Sequence, residues 1–329
     1  MKKGIVTVEK RANADTFQRL MAFGALIIIF LGFSFASPYF FTFNNVVGIL
    51  ISTAVNGLLA LGVTFIIISG GIDLSVGTVM TLCSVMCAVV IKNWGFPIPV
   101  GVVVGVLTGG LAGFVNGIMI SKLKLPPFIA TLGMLNVARG LSLVITDLSP
   151  IYFPLETGFS NITMGSILGT IIPGFAIPNG VLLMFGCAIL ASLILTKTVI
   201  GRYCLAIGSN EEAVRLSGVN VVIWKTTIYA LSGLFVGIAG VVIAARLNSA
   251  QPALGIGYEL DAIAAAVIGG TSMSGGEGTI IGTIIGAFII STLTNGLRIM
   301  SVPQEWQIVV TGLIIIFAVY LDILRRGKK

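Results

Sequence analysis

Histidine is absent from the 329-residue chain, and only 9% of its residues are charged. The first absence removes the side chain best suited to acid–base work near neutrality, which is also the commonest metal ligand. The second removes the surface of a water-soluble domain, where about 25% of residues are charged. Cysteine is scarce as well, present only as Cys83, Cys87, Cys187 and Cys204. No Cys-x-x-Cys pair and no Cys/His metal spacing occurs, so zinc and dithiol redox readings fail. Cys83 and Cys87 lie four apart on one helix face, where cysteine acts as a small hydrophobe. The glycine-rich stretch Gly269 to Gly278 lacks the Lys and Ser/Thr that close a phosphate-binding loop. It reads as a turn, and the chain has no ATP site of that kind. Clustered carboxylates at a membrane face are also lacking, which argues against an integral-membrane enzyme.

What fills the chain is apolar. Hydrophobic residues make up 56% of it and the mean hydropathy is +1.08, more than a soluble core can absorb, so the surplus must face lipid. Ten apolar runs are readable, at roughly 20–41, 45–69, 74–91, 97–121, 126–146, 178–196, 224–245, 259–276, 279–298 and 305–323. Crossing a bilayer takes about 20 residues. Only helices and closed barrels satisfy their backbone in lipid, and barrel strands would alternate over about ten residues. The expected fold is an all-α polytopic membrane protein with about ten transmembrane helices. The first run exceeds the apolar region of about 7–15 residues in a cleavable signal peptide. It reads as an uncleaved helix, although small residues near Ala36 mimic a cleavage site. Gly70, Gly71 and Asp73 interrupt the region 45–91 and leave its geometry open.

The net charge of +7 is a topology signal and needs no nucleic acid to explain it. With both termini cytoplasmic, the inner segments collect Lys2, Lys3, Lys10, Arg11 and Arg19, then Lys122 and Lys124. They also collect Lys197, Arg202, Arg215 and Lys225, and finally Arg325, Arg326, Lys328 and Lys329. The outer segments keep Lys92, Arg246 and Arg298, which is the expected asymmetry. The chain divides into a tail at 1–19, one membrane domain at 20–323, a cytoplasmic loop at 197–225 and a basic tail at 324–329.

Two stretches of the membrane domain resemble each other at an offset of about 177 residues. Gly101, Gly105 and Gly109, then Asn116-Gly117 and Pro126, are echoed by Gly278, Gly282 and Gly286, then Asn295-Gly296 and Pro303. The first stretch runs inward and the second outward. They belong to repeat halves at about 45–146 and 224–323, inverted as in many transporters. Glycines four apart let helix backbones approach closely, so they are read as packing residues without chemistry.

Charged and amide side chains inside spans are costly and point to function. Asp73, Asn56, Asn116, Asp261 and Asn295 are the candidates for a substrate pathway. Asp73 and Asp261 have a structural alternative as helix caps at glycine-rich breaks, and the asparagines as interhelical fasteners. Glu259 opens the eighth run beside Asp261. Arg139, in mid-span, is expected to pair with a carboxylate or carbonyl. In the loop 197–225, Ser209 or Asn210 caps a short amphipathic helix. Glu211 and Glu212 favour its first turn, and Gly218 ends it.

Several segments carry a family resemblance. They include Phe40 to Asn45, Ile68 to Gly77 (Ile-Ser-Gly-Gly-Ile-Asp-Leu-Ser-Val-Gly), Phe128 to Gly133 and Ala206 to Glu211. Arg215 to Asn220, Ala245 to Pro252 and Gly257 to Thr271 (Gly-Tyr-Glu-Leu-Asp-Ala-Ile-Ala-Ala-Ala-Val-Ile-Gly-Gly-Thr) complete the set. From about residue 38 onward, the chain resembles the permease subunits of ribose-type ABC sugar importers. The resemblance implies a bacterial inner-membrane subunit that is not an enzyme, holds no cofactor and passes a monosaccharide, a pentose or hexose. It implies three partners: a second permease copy (identical or paralogous), a cytoplasmic ABC ATPase, and a periplasmic or surface sugar-binding protein. It also implies that the segment with Glu211, Glu212, Arg215 and Gly218 seats in the ATPase. An ion-coupled secondary transporter of a small neutral solute is the alternative. The sugar-type motifs make a branched-chain amino-acid permease of a related ABC type the weaker fit.

Overall fold

The computed structural model describes residues 20–172 and 176–326. The expected tail 1–19 lies outside the described residues, as do the last three residues of the expected tail 324–329. The described chain is an all-α assembly. Its helices are α1 (Leu20–Ala36), α2 (Phe43–Ile68), α3 (Val76–Ala88), α4 (Ile98–Ser121), α5 (Pro127–Ile145), α6 (Ile167–Ile171) and α7 (Asn179–Lys197). They continue as α8 (Val199–Leu216), α9 (Val221–Leu247), α10 (Tyr258–Ile268), α11 (Ile280–Ile299) and α12 (Gln304–Arg326). A π-helical turn, Val89–Asn93, extends α3.

Each of the ten expected runs contains a helix. Among the described residues, seven helices are long and apolar enough to cross a membrane: α2, α3 with its π turn, α4, α5, α7, α9 and α11. By the same measure α1 and the apolar part of α12 are shorter. The run expected at 259–276 is helical only as far as Ile268. Gly269 and Gly270 turn the chain there, with Gly270 at φ +98°. Eleven residues rise about 16 Å, half of a hydrocarbon core of about 30 Å.

Helices α2 and α9 form the centre, where Leu58, Leu59, Phe65 and Tyr229 are buried. Glycines decide how closely the others approach. A methyl group on Gly109 of α4 would strike Gly233 O, and on Gly113 it would strike Tyr229 O of α9. Gly286 of α11 lies likewise against Ala265 O of α10. Helix α11 also fastens to α2 through the Thr64 and Thr283 hydroxyls, 2.7 Å apart. At the periphery, α4 shows lipid a row of Val103, Leu107 and Leu111. All four cysteines are free and buried. Cys204, expected in a basic loop, instead lies in α8 with Sγ 3.1 Å from Phe65 O.

A two-stranded antiparallel ladder closes one end of the bundle, β1 (Ile151–Tyr152) pairing with β2 (Ser249–Ala250). Asn248 caps α9 in the left-handed region and donates Nδ2–H to Phe153 O at 3.0 Å. Helix α8 lies at the opposite end.

Candidate functional site

Two breaks in the helical run cross inside the bundle. The first, Ser69 to Ser75, separates α2 from α3, and the second, Asn248 to Gly257, separates α9 from α10. The second passes the start of α3, just after the first, where Thr81 Oγ1 of α3 donates to Leu254 O at 2.6 Å. At the same point, a methyl on Gly77 would strike Gly255 O. Broken helices of this kind build sites in transporters because their ends present backbone dipoles to the interior.

Both helix starts at the crossing are already balanced. Asp73 is 4% exposed. Its Oδ1 accepts from Ser75 N at 2.8 Å and from Ser75 Oγ at 2.6 Å. Glu259, 8% exposed, accepts from Gly257 N at 3.1 Å with both carboxylate oxygens. A carboxylate at a helix N-terminus compensates its partial positive charge. Neither α3 nor α10 therefore has an uncompensated end to offer an anion. Asn116 of α4 joins the first cluster, donating to Ser75 Oγ at 3.0 Å and to Asp73 Oδ2 at 3.5 Å. Tyr229 Oη donates to Ile72 O across it.

Of the five expected pathway residues, the fold thus brings Asp73 and Asn116 together in a buried cluster. Asn56 and Asn295 do not join it; they lie along the α2–α11 seam. Asn56 Nδ2 donates to Ser291 Oγ at 3.4 Å, and Asn295 Nδ2 to Asn45 Oδ1 at 2.9 Å. Asp261 sits on α10, half-buried, apart from Asp73. Its neighbourhood holds residues the sequence did not single out. Arg246 donates to Ser52 Oγ at 3.2 Å, within electrostatic range of Tyr258 and Arg298; Tyr258 in turn senses Asp261. Ser52 and Asn56 are one turn apart on α2. Ser52, Asn56, Arg246, Tyr258 and Asp261, all half-buried, form a polar strip toward the β1–β2 end. Arg246 had looked like an ordinary charge beyond a span, and serines in apolar runs are common, so nothing in the local pattern marked the strip.

Arg139 departs from expectation. It is exposed on α5 and makes no ion pair or hydrogen bond among the described residues.

At the opposite end, α8 is longer than the short helix expected and bends at Asn210 (φ −161°, ψ 95°). Asn210 Oδ1 accepts from Ala213 N at 2.9 Å and starts the second half. Gly218, at φ +82°, follows its end. Glu212 pairs with Arg215 at 2.7 Å and Glu211 with Lys225 at 2.6 Å. Leu216 is 80% exposed beside them. The first half of α8 is wedged against two segments of the core. Gly208 packs directly on Ile68 O at the end of α2 and on Gly276 N in the loop before α11. Gly276 N itself donates to Ile68 O at 2.8 Å. Among the described residues, no group of His, Cys, Asp and Glu could hold a metal ion.

A family model described as the permease component of the branched-chain amino acid transport system matches residues 45–319. The chain is 42% identical over 318 residues to the ribose import permease protein RbsC of Bacillus subtilis (strain 168), covering 96% of each. It is 38% identical over 298 residues to the D-allose transport system permease protein AlsC of Escherichia coli (strain K12), covering 91% of this chain and 89% of that one. With the xylose transport system permease protein XylH of the same organism it shares 35% identity over 367 residues, covering 95% and 93%. No solved structure matches the chain.

Proposed function

Because the chain belongs to this family of membrane permease components, we propose that it is the translocating subunit of an ATP-driven importer of a monosaccharide. The observation that carries the reading is the joint at Gly208. One face of α8 is fixed to the end of α2 and to the loop before α11. The tip bearing Glu211, Glu212, Arg215 and Leu216 is exposed, with Glu211 tied to Lys225 in the first turns of α9. A separate motor that grips the tip moves both core segments at once. The chain itself is not an enzyme, and ATP is hydrolysed on a separate subunit.

The cargo reading rests on chemistry and on relatives. The relatives are named for ribose, allose and xylose, all neutral polyols. The balanced helix starts at Asp73 and Glu259 suit a ligand without net charge. Asn56 and Asp261, with Ser52, Arg246 and Tyr258 beside them, are the groups a passing hydroxyl would meet. Asp73 and Asn116 hold the crossing, and Asn295 holds the seam next to the path.

The packing pattern supports an inverted repeat. Helix α4 packs on α9 and α3 as α11 packs on α2 and α10, and α5 lies on α3 as α12 lies on α10. Exchanging α2–α5 with α9–α12 leaves these neighbours unchanged. In this reading ten helices enter the bilayer, α10 only part way, with both termini and α8 in the cytoplasm of a bacterial inner membrane. Its partners are a second permease copy, an ABC ATPase seated on 211–218, and a sugar-binding protein outside.

Uptake of labelled ribose, xylose, allose and leucine in cells stripped of their own importers tests the proposal. We expect pentose or hexose uptake that needs the partner ATPase and the binding protein. Uptake that persists without the ATPase and stops with an uncoupler would assign the chain to ion-coupled transport instead.

A further inference from the structure

The polar strip near Arg246 has a floor. On α2, Ser52 and Asn56 are half-buried, and every residue from Gly57 to Ser69 is buried. On α10, Tyr258 and Asp261 are half-buried, and Ala262 to Val267 are buried. On α9, Val241 to Ala245 are buried and Arg246 is half-buried. The strip is therefore open toward the β1–β2 end and shut toward the α8 end. Among the described residues, Arg246 makes one side-chain hydrogen bond, from Nη2 to Ser52 Oγ at 3.2 Å, and no ion pair. It lies in the last turn of α9, where a cation complements the partial negative charge of the helix end. That accounts for its charge and leaves most of its N–H donors without a partner. Asp261 likewise makes no side-chain hydrogen bond or ion pair among the described residues. The Asn56 carboxamide bonds only through Nδ2, to Ser291 Oγ.

We propose that this blind strip is a resting site for the cargo on the permease itself, and that the Arg246 guanidinium reads the cargo by exchanging Ser52 for two neighbouring hydroxyls. The inference rests on the reading of the chain as a monosaccharide importer and names the residue that selects within that class. A guanidinium is a planar fork that fits two acceptors side by side, as neighbouring ring hydroxyls present them. The hydroxyl protons then need acceptors, and the Asp261 carboxylate and the Asn56 carboxamide oxygen supply them. Tyr258 adds an apolar ring face and a hydroxyl. Arg246 repels a cation and Asp261 repels an anion, so a neutral polyol is the favoured guest. Binding is expected to be weak, because the sugar replaces Ser52 and water bond for bond. Weak binding suits a chamber that goes on to release its cargo inward.

The test places the permease with its ATPase in lipid nanodiscs without the binding protein, and titrates ribose, xylose and allose by saturation-transfer NMR. We expect saturable contact with whichever of these sugars the uptake assay identifies as cargo. Arg246→Lys keeps the charge and loses the fork, and is expected to weaken that contact about tenfold. Ser52→Ala removes the competitor for the fork, and is expected to strengthen it. A mere brace between α9 and α2 predicts no such split, because either variant breaks the brace. Equal weakening in both variants, or an unchanged contact in Arg246→Lys, would overturn the role of Arg246. Where Arg246→Lys does not assemble, Ser52→Ala decides alone: stronger contact supports the exchange, and weaker or unchanged contact contradicts it. A complex that imports the sugar yet makes no contact with it here would remove the resting site and leave the importer reading intact. A complex that imports no monosaccharide with ATP and binding protein would remove the importer reading, and the site with it.

Discussion

At position 73 a carboxylate closes a turn that apolar helices surround on every side. Removing it leaves Ser75 N–H and the Ser75 hydroxyl proton without their acceptor in a buried site and takes from Asn116 the longer of its two bonds. Each lost partner costs about 1–3 kcal/mol. Asp73→Ala should therefore lower the melting temperature of the purified protein, and Asp73→Asn, which keeps an acceptor oxygen, should lower it less. Among the described residues Asp261 makes no side-chain hydrogen bond of this kind, and it is half-buried, so Asp261→Asn should melt close to wild type while changing uptake. Equal loss of stability in both variants would contradict the separate roles. The sequence marked both acids equally, as charges at glycine-rich breaks. What separates them is that Asp73 meets Asn116 of α4 across the fold, whereas the groups near Asp261 are Tyr258 and Glu259 of its own helix, and spacing along the chain carries no record of the first meeting. Glycine can be ranked in the same way. Gly109→Ala should cost about 1–3 kcal/mol by overpacking, because the new methyl meets Gly233 O and Gly237 N backbone atoms. Gly186→Ala on α7, with nothing within 4 Å, should leave the melt unchanged.

Helix α8 joins a surface to a core. Its second half was legible because Asn210, Glu211 and Gly218 are a cap, a favourable first-turn acid and a stop signal. Its first half was not, because Val199 to Ser209 buries Cys204 and Ile207 against the end of α2, and a short basic stretch with Gly201 and Gly208 reads as loop. The length of α10 was hidden for a related reason. The residues just after Ile268 are small and were counted into the run to 276, although the glycine-rich stretch from Gly269 also reads as a turn; the turn at Gly270 ends the helix. Gly208→Val places a branched side chain against Ile68 O and Gly276 N. It should leave the complex assembled, abolish sugar uptake, and make ATP hydrolysis indifferent to loaded binding protein. An assembled complex that still takes up sugar and whose ATP hydrolysis still responds to loaded binding protein would contradict the joint. Asn210→Ala should destabilise the tip by about 1 kcal/mol, read as faster amide exchange over 211–217.

For the whole molecule, the proposed sidedness rests on the charges that the sequence displays and on the ten-helix reading. Cysteines introduced at Gly95 and Ser301 should react with an impermeant thiol reagent from outside the cell, and one at Gly218 should react only after the membrane is opened. The all-helical, polytopic character was readable from composition alone, because no other backbone satisfies itself in lipid. The neighbours that support an inverted repeat were readable only as echoes, since Gly109 and Gly286 pack on different helices, α9 and α10. Reconstituted vesicles give the most direct test of the account. The chain, its ATPase and its binding protein are sealed into liposomes, and labelled monosaccharide uptake is measured with ATP on the ATPase side or with a proton gradient alone. The account predicts accumulation with ATP and none with the gradient. Accumulation with the gradient, and none with ATP, would contradict it.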